Sequence, residues 1–508
     1  MNRKPISVIS LSSVLFFSLC IVLFLIHSAF NQQPSFDIII ENGTIIDGTG
    51  AGAFASDVGI REDTITAIGD LRASHAGQRI DASGRVVAPG FIDLANHSTD
   101  VLQSRPGADD LLRQGITTVL LNSDGGTHRE IWPLYTWLHQ FELKPAAVNI
   151  AAAVAYGTVR RTDSTASSDT LAPADFLPVY EKLTAALQQG AFGISTSLSF
   201  GPARYAPSSE LAELVRFARD NNVPAFFSLR TPMRQPRTAL DEFFALTKDG
   251  PVVLSQSQPL PAKIWGHFFS HDSLKRKYMT VFVPPFTRWI GAVTDLVPQG
   301  EQFNWREIRR ALWMAGGAAH VRIERSQSFP QFASRSLAFM AQKMQISAQR
   351  AFMQLVKDKT ALLSFDTISE NDLDRLLQSP ASIVVSDGGM DISRPGSQAA
   401  FPQFLGYFVR EKAVLTMEQA IQKITSAPAA LIGLHDRGRI QTGAKADIVI
   451  FDPERIAADL KKDSLRGYPM GIETVLVNGK IAIDQGISFQ TRNGRVLRKN
   501  SLPLVTSR

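Results

Sequence analysis

Eight short apolar runs recur through the middle of this 508-residue chain, at 91–95, 117–121, 147–153, 192–197, 224–228, 252–256, 279–283 and 381–386. They carry no charged residue apart from Asp93, as strands buried in a barrel do. Helix-patterned sequence fills most of the gaps, as at Ser208 to Asn221 and Thr238 to Lys248. Eight buried strands with helices between them predict a (β/α)8 barrel. The connection from Gln256 to Met279 is short. A long segment, about 288–380, separates the seventh and eighth runs, with helical pattern at Trp305 to Gly316 and Phe332 to Lys357. Insertions at this end of a barrel serve as lids or as packing ornament, and the sequence leaves both open.

The two ends read differently. Asp37 to Ile40, Thr44 to Asp47, Asp57 to Ile60 and Thr64 to Ile68 are short strand patterns, punctuated by Asn42-Gly43, Gly48-Thr49-Gly50 and Ser83-Gly84. Ala446 to Phe451, Thr474 to Val477 and Ile481 to Ile483 match them in style. The expected organisation is an N-terminal segment 1–30, the first part of a β-sandwich at 36–89, the barrel at 90–435 and the rest of the sandwich at 436–500.

Arg3 and Lys4 precede Ile6 to Ile26, a run without charge. Its 21 residues would rise roughly 31 Å as a helix, the thickness of a bilayer core. The run exceeds a usual signal-peptide core, and His27-Ser28-Ala29 is a poor cleavage site. The expectation is a single N-terminal transmembrane helix with its positive end in the cytoplasm and the body in the periplasm or outside the cell; a cleaved signal peptide stays open. The only cysteine, Cys20, lies in this run, so the body has neither a disulfide nor a thiolate metal site. The net charge of +6 is mild for this length and shows no basic stripe interleaved with aromatics, which argues against nucleic acid as a partner.

The motifs are more specific. Asn42-Gly43-Thr44-Ile45-Ile46-Asp47-Gly48-Thr49-Gly50, then Ile80 through Asp93 ending Ala88-Pro89-Gly90-Phe91-Ile92-Asp93, then Gln114-Gly115-Ile116-Thr117-Thr118-Val119 follow one another. Pro145 to Asn149, Gly193-Ile194-Ser195-Thr196, Ser386-Asp387-Gly388, Asp436 to Ile440 and Ala446 to Val449 complete the set. In these the chain resembles the N-acyl-D-amino-acid deacylases (D-aminoacylases) of the amidohydrolase superfamily across residues 36 to 500. The resemblance implies a barrel plus β-sandwich, one or two divalent ions (usually zinc), and hydrolysis of the amide of N-acylated D-amino acids.

That chemistry needs a metal to acidify water and polarise the carbonyl, and zinc wants about four ligands. The family pattern places them at the barrel's strand ends. Its first strand ends His-x-His; here Ala95-Asn96-His97 stands. Its second supplies an acid or cysteine, for which Asp124 serves. Its fifth ends His-x-Arg; Ser228-Leu229-Arg230 keeps the arginine. Its sixth ends Ser-His; here it is Ser255-Gln256. Asp387 stands at the family's general acid/base position. The ligand positions replaced are therefore Ala95, Ser228 and Gln256, and no lysine ends strand four to bridge two metals. Serine and glutamine oxygens are feeble zinc ligands.

His97 and Asp124 stand as metal-site remnants, and Asp387 as the base if the chain is active. The three are read either as a weak divalent site or as groups hydrogen-bonded to neighbours, with Asp387 capping backbone N–H groups. Arg230 and Tyr205 either bind an anionic ligand or pair locally. His267 and His271 read as a surface pair, because Gly266 and the short connection disfavour a helix. Ser195-Thr196-Ser197 lacks a nucleophile-elbow pattern. The expectation is a pseudoenzyme with no firmly bound metal, acting by ligand or partner binding. The alternative is a divergent hydrolase of non-peptide C–N bonds in N-acyl amino acids or envelope fragments, with zinc if active.

Overall fold

In a computed structural model the described residues are 35–125, 132–162, 176–199, 201–231, 235–256, 260–270, 278–293, 305–358, 360–390, 398–458 and 469–499. The barrel strands are Phe91–Asn96, Ile116–Leu121, Asn149–Ala152 continued by Val154–Ala155, Ile194–Thr196, Ala225–Ser228, Val252–Gln256, Met279–Val283 and Ser382–Val384. Every pairing between neighbours is parallel. A bridge between Asn96 and Gly388 brings the last strand back to the first. Inside the barrel, Ile92, Leu94, Ala95, Phe192, Phe226, Val253, Phe282 and Val385 form their own apolar cluster. Phe226 and Phe282 meet within it as a tilted pair, 5.8 Å between ring centroids. The interior is thus a packed core, and chemistry is confined to the mouth at the strands' C-terminal ends.

The expected β-domain is built from both chain ends. Its larger sheet runs Ile487–Ser488, Lys480–Asp484, Ile472–Val477, Ile448–Phe451, Val86–Pro89, Thr44–Ile45, Phe54–Ala55. C-terminal Ile448–Phe451 lies antiparallel to N-terminal Val86–Pro89. The smaller sheet is entirely N-terminal and holds Phe36–Glu41 between Asp57–Arg61 and Ala76–Asp81. Ile38, Ile40, Val58, Ile60, Val87, Ile448 and Leu476 fill the space between the sheets.

A buried polar knot joins this domain to the barrel. Asn149 donates to Asp447 at 2.9 Å and accepts from Asn478 at 2.8 Å. Asp447 also accepts from the Asn478 backbone at 2.7 Å and from Arg437, whose side chain is as fully buried as its own. Two of the recognised motifs, around Arg437 and around Asp447, meet here.

The insertion differs from its sequence reading. Helices Trp305–Met314, Leu337–Lys343 and Ala348–Lys357 appear, but so does a four-stranded antiparallel sheet, Arg288–Ala292, Leu362–Asp366, Arg322–Arg325 and Arg335–Ser336. The strands were hidden because the two inner-sequence ones are short and carry arginines. The insertion closes at Asp366, and Glu370–Gln378 is already the helix leading to the eighth strand. Trp265–Ser270 is a short helix despite Gly266, whose missing side chain faces open space. No helix among the described residues is long and apolar enough to cross a membrane; residues 6–26 lie outside them.

Candidate active site

Asp93 sets the geometry of the mouth. It is fully buried, and its carboxylate accepts from the backbone N–H of Ser386 at 3.0 Å, the Ser386 hydroxyl at 2.5 Å and the Asn96 amide at 2.9 Å. The Ala95 N–H lies at 3.3 Å. One carboxylate therefore clamps strand one to strand eight. The neighbours of its partners, His97 and Asp387, are thereby brought face to face. His97 N–H donates to the Gly388 carbonyl at 2.7 Å, and Asn96 caps the next turn by accepting from Ser98 N–H at 3.1 Å.

His97 stands between two acids. Its Nε2 is 3.1 Å from Asp387 Oδ1 and its Nδ1 is 3.1 Å from Asp124 Oδ2. All three side chains are largely buried. A neutral imidazole donates from one nitrogen only, so a neutral ring hydrogen-bonds to one of these two carboxylates at a time. Asp387 adopts φ 47°, the left-handed region that aspartate tolerates better than most residues. The backbone N–H of Ser386 is capped by Asp93, and Asp387 Oδ1 faces the histidine.

The loop after strand two leans across the mouth. Gly125 has φ 91°, and a Cβ there would lie 2.2 Å from Ser197 N. Only glycine lets Asp124 approach His97 while its loop rests on the end of strand four.

Two of the three replaced positions, Ala95 and Ser228, have their side chains engaged elsewhere. Ala95 belongs to the apolar interior. Ser228 Oγ accepts from Leu198 N–H at 3.1 Å and lies 3.3 Å from Ser197 Oγ. Gln256 closes the sixth strand, paired in register with Ser228. Arg230 donates to Glu242 at 2.9 Å and to the carbonyls of Arg204 and Ala206. Tyr205 is exposed, with the Arg204 guanidinium 4.5 Å from its ring centroid. His267 is 3.0 Å from Asp241, and His271 lies outside the described residues.

Sequence reasoning missed the buried Tyr156–Glu210–Arg160 cluster behind strand three. Tyr156 hydroxyl and Arg160 Nε both donate to Glu210 Oε1, the latter at 2.9 Å. Burial beside that carboxylate pushes the Tyr156 hydroxyl far above the ordinary phenol range.

A parallel eight-stranded barrel with its acid–histidine line at the mouth, joined to a sandwich from both termini, is the architecture of the amidohydrolases, and a model of the amidohydrolase family matches residues 308–483. The N-acyl-D-glutamate deacylase of Alcaligenes xylosoxydans xylosoxydans is 30% identical over 497 residues, spanning 92% of this chain and 98% of that protein. The D-aminoacylase of the same organism is 28% identical over 496 residues, 93% and 99% of the two chains. Among solved structures, N-acyl-D-glutamate deacylase from Bordetella bronchiseptica, complexed with zinc and a phosphonate mimic of the tetrahedral intermediate, superimposes with a TM-score of 0.77 at 26% identity. That match covers 91% of this chain and 99% of the other. The chain belongs to the N-acyl-D-amino-acid deacylase (D-aminoacylase) family of the amidohydrolase superfamily.

The described residues at the family's ligand positions do not fit the zinc ion this family implies. Among the described residues no group of three or more His, Cys, Asp or Glu is arranged to hold a metal. His97 has both ring nitrogens turned to carboxylates, Ala95 has no donor, and Ser228 Oγ already accepts a backbone N–H. Zinc's requirement for about four N, S or carboxylate ligands is unmet by this set.

Proposed function

We propose that this chain is a deacylase-fold protein that has given up metal-assisted amide hydrolysis and works by binding at the barrel mouth. The ligand class is the one its relatives suggest, an N-acylated amino acid or a related envelope fragment, or a protein partner. The apolar run at 6–26 holds it to a membrane with the body on the periplasmic or outer side. One observation carries this reading: of the three positions where the family pattern expects metal-binding histidines, Ala95, Ser228 and Gln256, the first two have side chains committed to packing and to a backbone N–H. Removing one ligand still leaves a bindable site; removing three leaves no firm one.

A second reading has its own support. The Asp387–His97 pair at 3.1 Å, with Asp124 on the far nitrogen, is an acid/base relay that needs no metal, which suits a divergent hydrolase of non-peptide C–N bonds. Hydrolysis by this route would also need an electrophile for the developing oxyanion.

Elemental analysis of the purified full chain, with assays on N-acetyl-D-glutamate, N-acetyl-D-aspartate and N-acetyl-D-leucine, separates the two. The binding reading expects far less than one zinc per chain and no turnover that responds to Asp387→Asn. Stoichiometric zinc with deacylation overturns it. Metal-free turnover abolished by Asp387→Asn and by His97→Gln supports the second reading instead.

A further inference from the structure

Helix Trp305–Met314 of the insertion presents an unusual outer face. Its inner side is ordinary: Ile308, Leu312, Met314 and the following Ala315 are buried. Its outer side carries Trp305 and Trp313, 53% and 61% exposed, with Arg306, Arg309 and Arg310 exposed beside them. At 100° per residue these five positions fall within an arc of about 140°. None of the three arginines is paired with a carboxylate among the described residues. Trp313 is backed by Lys263, whose ammonium sits 3.4 Å from the ring centroid and donates to the Trp313 carbonyl at 3.0 Å. The exposed indole is thereby backed by a cation, and the three arginines share its face of the helix. Leaving two tryptophans in water is unfavourable unless something covers them.

We infer that this face rests on an anionic lipid surface. Tryptophan favours the headgroup level of a bilayer, where its ring is half apolar and its N–H stays wet. Arginines flanking it meet the negative potential of anionic lipids. The chain outside the described residues points to the same occupant. The apolar run ends at Ile26 and the described body begins at Ser35, so residues 27–35 allow at most about 30 Å between them. A body on so short a leash stays against the bilayer. The inference rests on the membrane-tether reading, and its test keeps the two apart.

The full chain is reconstituted in phosphatidylcholine vesicles with and without phosphatidylglycerol, using lipids brominated near the headgroup as quenchers. Of the chain's six tryptophans, Trp265 and Trp289 are buried and Trp132 and Trp137 partly buried, which leaves Trp305 and Trp313 the most exposed, and the double variant W305F/W313F isolates their share of the quenching. A quenched emission component is expected on anionic vesicles, absent on phosphatidylcholine alone and lost in the W305F/W313F double variant. Each basic residue near an anionic surface raises the docked population about fivefold, so R306Q/R309Q/R310Q should lower it about 100-fold, and 0.5 M salt should act in the same direction. Quenching that survives W305F/W313F, or that ignores lipid charge, overturns the inference. Extraction with alkaline carbonate reads the tether separately: release from the vesicles overturns the tether, and quenching of the released chain on added anionic vesicles still decides the docking.

Discussion

Replacing Asp93 with alanine should unlatch the barrel where its first and last strands meet. Three donors lie at 2.5–3.0 Å from this carboxylate, the Ser386 backbone N–H, the Ser386 hydroxyl and the Asn96 amide, and all are buried. A buried donor left without its acceptor costs about 1–3 kcal/mol. The Ser386 hydroxyl is free to rotate toward another acceptor, but the Ser386 N–H and the Asn96 amide are fixed by the strand. Counting those two, plus a small cavity, the loss comes to about 3–5 kcal/mol, a large fraction of the 5–15 kcal/mol that typically holds a domain together. Urea titration followed by circular dichroism reads it as a drop in midpoint for the barrel transition. Asp93→Asn keeps the shape but turns an NH2 toward a donor, so it should recover less than half of the deficit. A loss below about 1 kcal/mol for Asp93→Ala would refute the reasoning, because the donors would then have found other partners.

Three further outcomes follow from other parts of the molecule. The A95H/S228H/Q256H variant, which restores the family's histidines, should take up zinc that the wild type does not, read by elemental analysis; a metal-free triple variant would mean that the mouth has closed in other ways. Asp447→Asn, which uncouples the buried Arg437, should cost about 3–5 kcal/mol in thermal or urea unfolding, as expected for stripping a buried pair of one charge. Lys423, buried with its ammonium donating to the carbonyls of Ser379 and Ser382, is pushed by burial from 10.5 down to about 8. Between those values the unfolded chain binds the extra proton, so stability should rise with pH from about 8 to 10.5, by at most about 3 kcal/mol, and Lys423→Met should flatten that slope.

Strands such as Val252–Gln256 and Met279–Val283 were legible residue for residue because burial on both faces leaves a continuous apolar run. The two-ended sandwich was legible because its turns carry Asn-Gly and Gly-x-Gly signals. Family spacing singled out Ala95, Ser228 and Gln256, and each lies at or next to the end of its barrel strand. What stayed hidden depends on partners far apart in sequence. Asp93 reaches Ser386 across 293 positions, and nothing local marks it as a clamp rather than a ligand. Arg230 and Glu242 are close in sequence, yet their pairing depends on how a loop turns into helix Pro236–Leu246. The strands Arg322–Arg325 and Arg335–Ser336 earn their conformation from Leu362–Asp366 alongside, not from their own composition.

The central sheet of the sandwich has an implication for how the molecule is made. Val86–Pro89 is completed on one side only by Ile448–Phe451, more than 350 residues later in the chain. Until ribosomes finish, the N-terminal strands hold an open border that any other extended segment can occupy. Premature termination, or a frame-shifted tail, would leave that border open permanently. Such products should aggregate or be degraded even when every barrel strand is intact.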